Sequence, residues 1–206
     1  TTSGDGYLVA LSDSVELDGN NDLVYTMNDD KSSWGYWTNS SDDINKYSTW
    51  VAGETSATTS SYVTSLIENI GQGINATFSG HVLGAVTNGP SIDPIKFDSS
   101  NYANFQFGFG AGYNNFNGSI GFETQSGQLW ATTIGDGTMS SSGFSSADIT
   151  KDTNYASAVD IAAIYNSING EFYGNSSEIK SIGGTFDFKD STGNFNATGV
   201  FKATKN

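Results

Sequence analysis

His81 is the sole imidazole among 206 residues, and the chain has no cysteine. A serine nucleophile needs a base beside it and a group to orient that base, so any such triad would have to be assembled around His81. No neighbouring residue proposes that arrangement. The lack of thiols also removes disulfide scaffolds and thiolate-ligated metals. His81 itself reads either as a haem-iron ligand or as an exposed polar residue on a strand. Carboxylates offer a second chemistry: Glu123, Asp160, Glu171 and Asp187 lie in or beside expected strands, and two carboxyls roughly 5–9 Å apart can hydrolyse a glycoside. No pair is singled out by spacing, and a solvated strand face explains the same residues. The acidic turns Asp18-Gly19-Asn20-Asn21-Asp22 and Asn28-Asp29-Asp30 hold the oxygen ligands calcium favours without following the twelve-residue calcium loop. The expectation is a non-catalytic protein with no metal site and no resident cofactor, haem and calcium being the ligands these groups would take.

Aromatic residues make the stronger case for binding. Trp34, Tyr36 and Trp37 sit in the run WGYW, Trp50 closes the same segment, and Trp130 stands alone in GQLWATT. Trp and Tyr bring large contact area with a polar handle, which suits a sugar ring or a protein partner. The same side chains also fill cores. Strand alternation puts Trp34 and Tyr36 on one face and Trp37 on the other. These five residues are the candidate ligand-binding set.

The elements that must hold them read as short strands. There are 13 Phe, 10 Tyr and 4 Trp in a chain only 36% hydrophobic, with 25 Gly and 2 Pro, a composition for many tight turns and polar strand faces. Alternation is visible in YLVAL (Tyr7, Val9, Leu11), in DLVYTM (Leu23, Tyr25) and in GINATFSGHVLGAV (Ile74, Ala76, Phe78, Gly80, Val82). It continues in NFQFGFGAG (Phe105, Phe107, Phe109), GSIGFET (Ile120, Phe122) and GQLWATT, where Leu129 and Ala131 are assigned the core face. Short separators make the central strands an antiparallel meander. Residues 51–60 read as a linker or long loop, and SYVTSLIENIGQ as a turn or two of helix through Val63, Leu66, Ile67 and Ile70. NGPSIDP reads as a turn region, and GDGTMSSSGFSSADITKDTNYASAV as a long outer loop. Alternation resumes in VDIAAIY and INGEFYG. Near the C-terminus Phe186 and Phe188 share a face, as do Phe195, Ala197, Gly199, Phe201 and Ala203.

With 8 basic against 22 acidic residues the formal charge is -14, which repels nucleic acid and anionic membrane alike. No apolar run reaches the roughly 20 residues of a transmembrane helix, and no signal segment is recognisable. The expectation is a soluble, mature or trimmed form.

The C-terminal run INGEFYGNSSEIKSIGGTFDF followed by GNFNATGVFKA resembles the closing hairpin of bacterial surface-lipoprotein barrels of the transferrin-binding protein B type, with haemophore-like and factor H-binding relatives. That pattern is Gly-x-Phe-Tyr-Gly, a Glu, Gly-Gly-x-Phe and a terminal strand. It is met by Gly170, Phe172, Tyr173, Gly174, Glu178, Gly183, Gly184, Phe186 and Phe201, with a longer Glu178-Ile179-Lys180-Ser181-Ile182 before the double glycine. The resemblance runs from about Gly71 onward. It implies an all-β, mainly antiparallel fold: a barrel of about eight strands at the C-terminal side, an N-terminal β-rich extension and little helix. The corresponding division is a handle-like segment 1–60 and a barrel domain 61–206. It also implies the exterior of a Gram-negative cell and a host or environmental protein or a glycan as partner. Three readings follow: a binding module for a host protein, haem or glycan; a structural or adhesin-like envelope domain; and a glycan-active enzyme with a carboxylate pair.

Overall fold

The computed structural model describes residues 6–11, 16–17, 23–24, 32–39, 48–53, 57–69 and 73–206. In chain order the N-terminal strands are β1 (Gly6–Leu11), β2 (Glu16–Leu17), β3 (Leu23–Val24), β4 (Ser32–Asn39) and β5 (Ser48–Gly53). The helix α1 (Ala57–Ile67) follows, then β6 (Ile74–Asn88), β7 (Ser91–Pro94), β8 (Tyr102–Phe109), β9 (Asn115–Glu123) and β10 (Leu129–Ser140). The chain ends with β11 (Gly143–Ser146), β12 (Ile149–Lys151), β13 (Ser167–Gly174), β14 (Ile179–Lys189) and β15 (Asn196–Lys205). The side chains of Tyr7, Val9, Leu11 and Leu23, together with Tyr25, Ile70 and both acidic turns, lie outside the described residues.

Eight antiparallel strands close on themselves in the order β11-β13-β14-β15-β6-β8-β9-β10, and β10 pairs back to β11. Closure removes the free edges that an open sheet would carry. Strand alternation sends Phe105, Phe107, Phe109, Phe116, Phe144 and Phe201 inward, where Phe107 stacks on Phe116 at 5.3 Å and meets Phe144 edge-on at 4.8 Å. The barrel is therefore filled by aromatic rings. Helix α1 covers one part of this core: Val63 is fully buried, with Leu66 and Ile67 packed beside it, so tertiary burial overrides the weak helix propensity of its Thr and Ser.

Five local expectations change. The stretch 51–60 is the end of β5 and the first turn of α1, joined through 54–56, because Val51 and Val63 both have barrel surface to bury against. Ser91–Pro94 forms β7 along β6. The supposed outer loop supplies the end of β10 together with β11 and β12: Phe144 and Ile149 point into the core while Ser and Thr occupy the outer positions. VDIAAIY makes a single bridge, Ile161 to Asp190, instead of a strand. On β10 the inward residues are Trp130 and Ile134, the reverse of the face assigned to Leu129 and Ala131. Among the described residues no helix is long and apolar enough to cross a membrane.

Candidate binding surface

β1, β4 and β5 form a separate antiparallel sheet in that order, and its β4–β5 hairpin lies on the outside of the barrel across β14, β15 and β6. The outward residues of those strands explain the docking. Val200 and Leu83 present an apolar patch on an otherwise polar wall, and Trp34 packs on them with Val51 and Phe97. The Trp34 and Phe97 rings stand 6.1 Å apart at 53°. Beside this plug the Lys202 ammonium donates to the Ser32 carbonyl at 3.1 Å, and the Ser32 and Ser181 hydroxyls bond at 2.7 Å. A polar rim thus fixes the hairpin around a small apolar centre.

The motif glycines sit where this hairpin presses closest. A Cβ on Gly183 would stand 2.6 Å from Val51 Cγ2 and 3.1 Å from Tyr173 Cε2, whereas one on Gly184 would stand 2.6 Å from Gly170 Cα and 2.7 Å from Phe201 Cζ, inside the barrel. One glycine clears the outer wall for β5 and the next clears the inner wall for the aromatic core. Tyr173 lies buried in the seam. Burial, reinforced by the nearby Glu171 charge, raises its phenol to about 12.

Two grooves flank β5. One, of about 530 Å³, is lined by Val51, Tyr173, Glu171, Asn169 and Thr185; the other, of about 580 Å³, is lined by Thr49, Thr185, Asp187, Thr198 and Thr87. Thr185 belongs to both. Hydroxyls, amides and two carboxylates line them together with apolar side chains, Met139 and Val51 in the first and Ile92 and Val200 in the second, and no lysine lines either.

The five candidate aromatics are only partly gathered. Trp34 is buried in the seam, with no partner for its Nε1 among the described residues. Trp50 pairs with Gly35 in the β4–β5 register, on the hairpin face opposite Val51; it is half-buried, and its Nε1 likewise lacks a partner among the described residues. Tyr36 and Trp37 occupy β4 opposite Thr49 and Ser48, but their side chains lie outside the described residues. Trp130 is elsewhere: it is fully buried in the barrel, stacked on Phe122 at 6.1 Å and donating to the Gln128 side-chain Oε1 at 2.9 Å. It is a core residue.

His81 faces outward from β6, its Nδ1 2.8 Å from the Asn101 carbonyl and its ring 5.0 Å from Phe97. The four strand carboxylates do not form a shared site. Glu123 pairs with Lys96 at 2.5 Å, Asp160 pairs with Lys151 at 3.0 Å, and Glu171 and Asp187 line different grooves. Among the described residues no three His, Asp or Glu side chains converge on a metal position. Sequence reasoning missed Tyr173, Glu171, Thr185 and Asp187 as one surface, although the polar outer positions of β13 and β14 were the available signal.

No family profile and no curated protein sequence matches this chain. Solved structures do. Intact Ap-TbpB, with its N and C lobes, superposes with a TM-score of 0.59 at 18% identity, covering 100% of this chain and 39% of that one. A tryptophan-to-alanine mutant of the vaccine antigen transferrin binding protein B from Haemophilus parasuis Hp5 gives 0.58 at 16%, covering 100% and 38%. A double mutant of that antigen, with a tyrosine also replaced, gives 0.59 at 16%, covering 99% and 38%. The chain thus has the fold of the TbpB-type surface lipoproteins over its whole length, while spanning less than two-fifths of those proteins.

Proposed function

We propose that this chain is a non-catalytic binding module, displayed on or secreted from a Gram-negative cell, that recognises a host protein, haem or a glycan through its loops and the aromatic β4–β5 hairpin. The observation that carries this reading is the TbpB-type fold over the full chain, since the matched proteins are named for binding transferrin. The dispersal of Glu123, Asp160, Glu171 and Asp187 among separate partners and grooves speaks against the glycosidase reading. A formal charge of -14 opposes nucleic acid as partner. The proposed organisation is a handle-like segment 1–60 and a barrel 61–206, with the hairpin of the first docked on the outer wall of the second.

The test is retention from host serum, supplemented with haemoglobin and haem, on immobilised protein and on a Trp37→Ala/Trp50→Ala variant. Trp34 is left intact because its burial makes it part of the seam. A partner held by the parent and released by the variant supports the reading and its aromatic site. If both proteins retain nothing, the adhesin-like structural reading replaces it.

A further inference from the structure

The two grooves beside β5 meet at Thr185, the residue that lines both, and together form a trough with Glu171 in one half and Asp187 in the other. On the barrel, Gly183 pairs with Lys202, Thr185 with Val200 and Asp187 with Thr198, so successive outward rows can be followed along the wall. Gly53 lies over Tyr173 and Val51 over Gly183, while Thr49 borders the groove over Asp187 and Thr198. β5 therefore runs diagonally from β13 towards β15. Glu171, Thr185 and Asp187 lie along the flank of β5 away from β4, and Thr185 joins the two cavities.

That flank is an edge. Among the described strands β5 has one neighbour, β4, in the order β1-β4-β5. A strand paired on one side leaves a row of N–H and C=O groups free on the other, the template for adding another strand about 4.8 Å away. Here that row, unpaired among the described strands, overlooks a trough lined by hydroxyls, amides and apolar side chains, so an incoming strand would meet hydrogen-bonding partners beside it and mixed side-chain contacts beneath.

The geometry points to this trough as a docking site for an extended, lysine- or arginine-bearing segment of a partner protein, which adds to β5 as a further strand. Charge selects the occupant. Glu171 borders one half of the trough and Asp187 the other, no cation lines it, and the whole chain is at -14. Basic side chains at the two ends of the segment would meet those carboxylates, and small or β-branched residues between them would rest on Thr185, Thr198 and Asn169. A second copy of this chain fits poorly: β5, STWVAG, carries no basic residue, and pairing two β5 edges would bring four trough carboxylates together.

This inference rests on the protein-binding reading but not on the aromatic hairpin as the contact. It is tested by selecting displayed random nonapeptides on the whole chain and measuring hydrogen exchange of the β5 amides with the enriched peptides bound. The expected peptides are rich in lysine or arginine around alternating β-branched residues and slow exchange in β5. They should bind about tenfold or more weakly to a Glu171→Lys/Asp187→Lys variant, whose fold is checked by a parental far-UV circular dichroism spectrum and a cooperative urea transition. Thr185→Arg, which fills the junction of the grooves, should abolish binding. The inference is overturned if selection enriches nothing over the charge-reversed protein, if enriched peptides bind the variants equally, or if they leave β5 exchange unchanged. Self-association through β5, seen by sedimentation and abolished by Thr185→Arg, would overturn the choice of occupant. Loss of binding in Trp37→Ala/Trp50→Ala alone would overturn the trough and leave the aromatic reading standing.

Discussion

Gly183→Ala should loosen the β4–β5 hairpin from the barrel without opening the barrel. The added methyl would stand 2.6 Å from Val51 Cγ2, against an optimal carbon separation of about 3.5–4.0 Å. Val51 must retreat by about 1 Å, and a gap of that size forfeits a quarter to a half of each dispersion contact it opens. Val51 is β-branched and cannot swing away freely, so the displacement passes to β5 and to the Trp34 plug. Overpacking of this kind costs about 1–3 kcal/mol, a substantial part of a domain stability of about 5–15 kcal/mol. Urea unfolding of the parent, Gly183→Ala, Val51→Ala and the double variant measures it as a cycle. Because Val51→Ala removes the clashing methyl groups, the double variant should recover most of the loss, with a coupling of about 0.5–3 kcal/mol. A second readout is Tyr173, whose phenol is held at about 12 by burial and by Glu171. Lifting β5 returns it towards the ordinary value of 10, as read by alkaline absorbance titration differenced against Tyr173→Phe. A Gly183→Ala protein of parental stability, or additive losses in the double variant, would refute the seam as described.

Further expectations follow from the same geometry. Gly184→Ala should cost more than Gly183→Ala and show no coupling to Val51, because its methyl would meet Gly170 Cα and the Phe201 ring inside the barrel; urea midpoints decide. Trp130→Ala should cost about 3–5 kcal/mol as a buried aromatic truncation while sparing partner retention in whatever folded fraction remains, since Trp130 is fully buried in the core. Asp190 is pushed up by burial, but hydrogen bonds from the Thr192 hydroxyl and from the Phe195, Thr192 and Asn194 amides outweigh that and hold its carboxyl below the usual 3.8. Its stabilisation is therefore present above about pH 4 and is lost as pH falls through the lowered folded value. Asp190→Ala should cost about 1–3 kcal/mol at neutral pH and progressively less in acid, followed by urea unfolding against pH. Tyr173 has the opposite sign. Its folded value lies above that of the unfolded chain, so its contribution is whole below pH 10 and drains as pH rises towards 12, a slope that Tyr173→Phe should flatten.

The strands of the barrel were legible in the sequence because their inward residues are aromatic and separated by single polar or small residues, while closure into a barrel came from the resemblance of the C-terminal hairpin. Phe105, Phe107 and Phe109 on β8, and Phe186 and Phe188 on β14, read as a period of two and point to the core as expected. The same rule fails where inward and outward residues are both apolar. In LWA, burial on both sides of Trp130 hides the phase, and only the stacking on Phe122 shows which way β10 faces. It fails again in the Ser- and Thr-rich stretch after Gly135, where Phe144 and Ile149 are too sparse to announce β11 and β12 until the pairings to β10 and β13 place them.

The candidate surface was harder to read for a different reason: its residues are polar, and they are contiguous only across strands. Glu171, Thr185 and Thr198 fall in three strands and acquire meaning only when β13, β14 and β15 lie side by side with β5 above them. The motif glycines were visible from the start but ambiguous, since glycine in a strand marks either a bend or a close approach. Gly183 and Gly184 do both jobs at adjacent positions, one towards Val51 and one towards Phe201. A Gly-Gly step opposite Gly170 in a barrel strand is thus a physical sign of a second layer on the wall. It locates the hairpin, and with it the β5 edge of the β1-β4-β5 sheet, unpaired among the described strands, beside the trough.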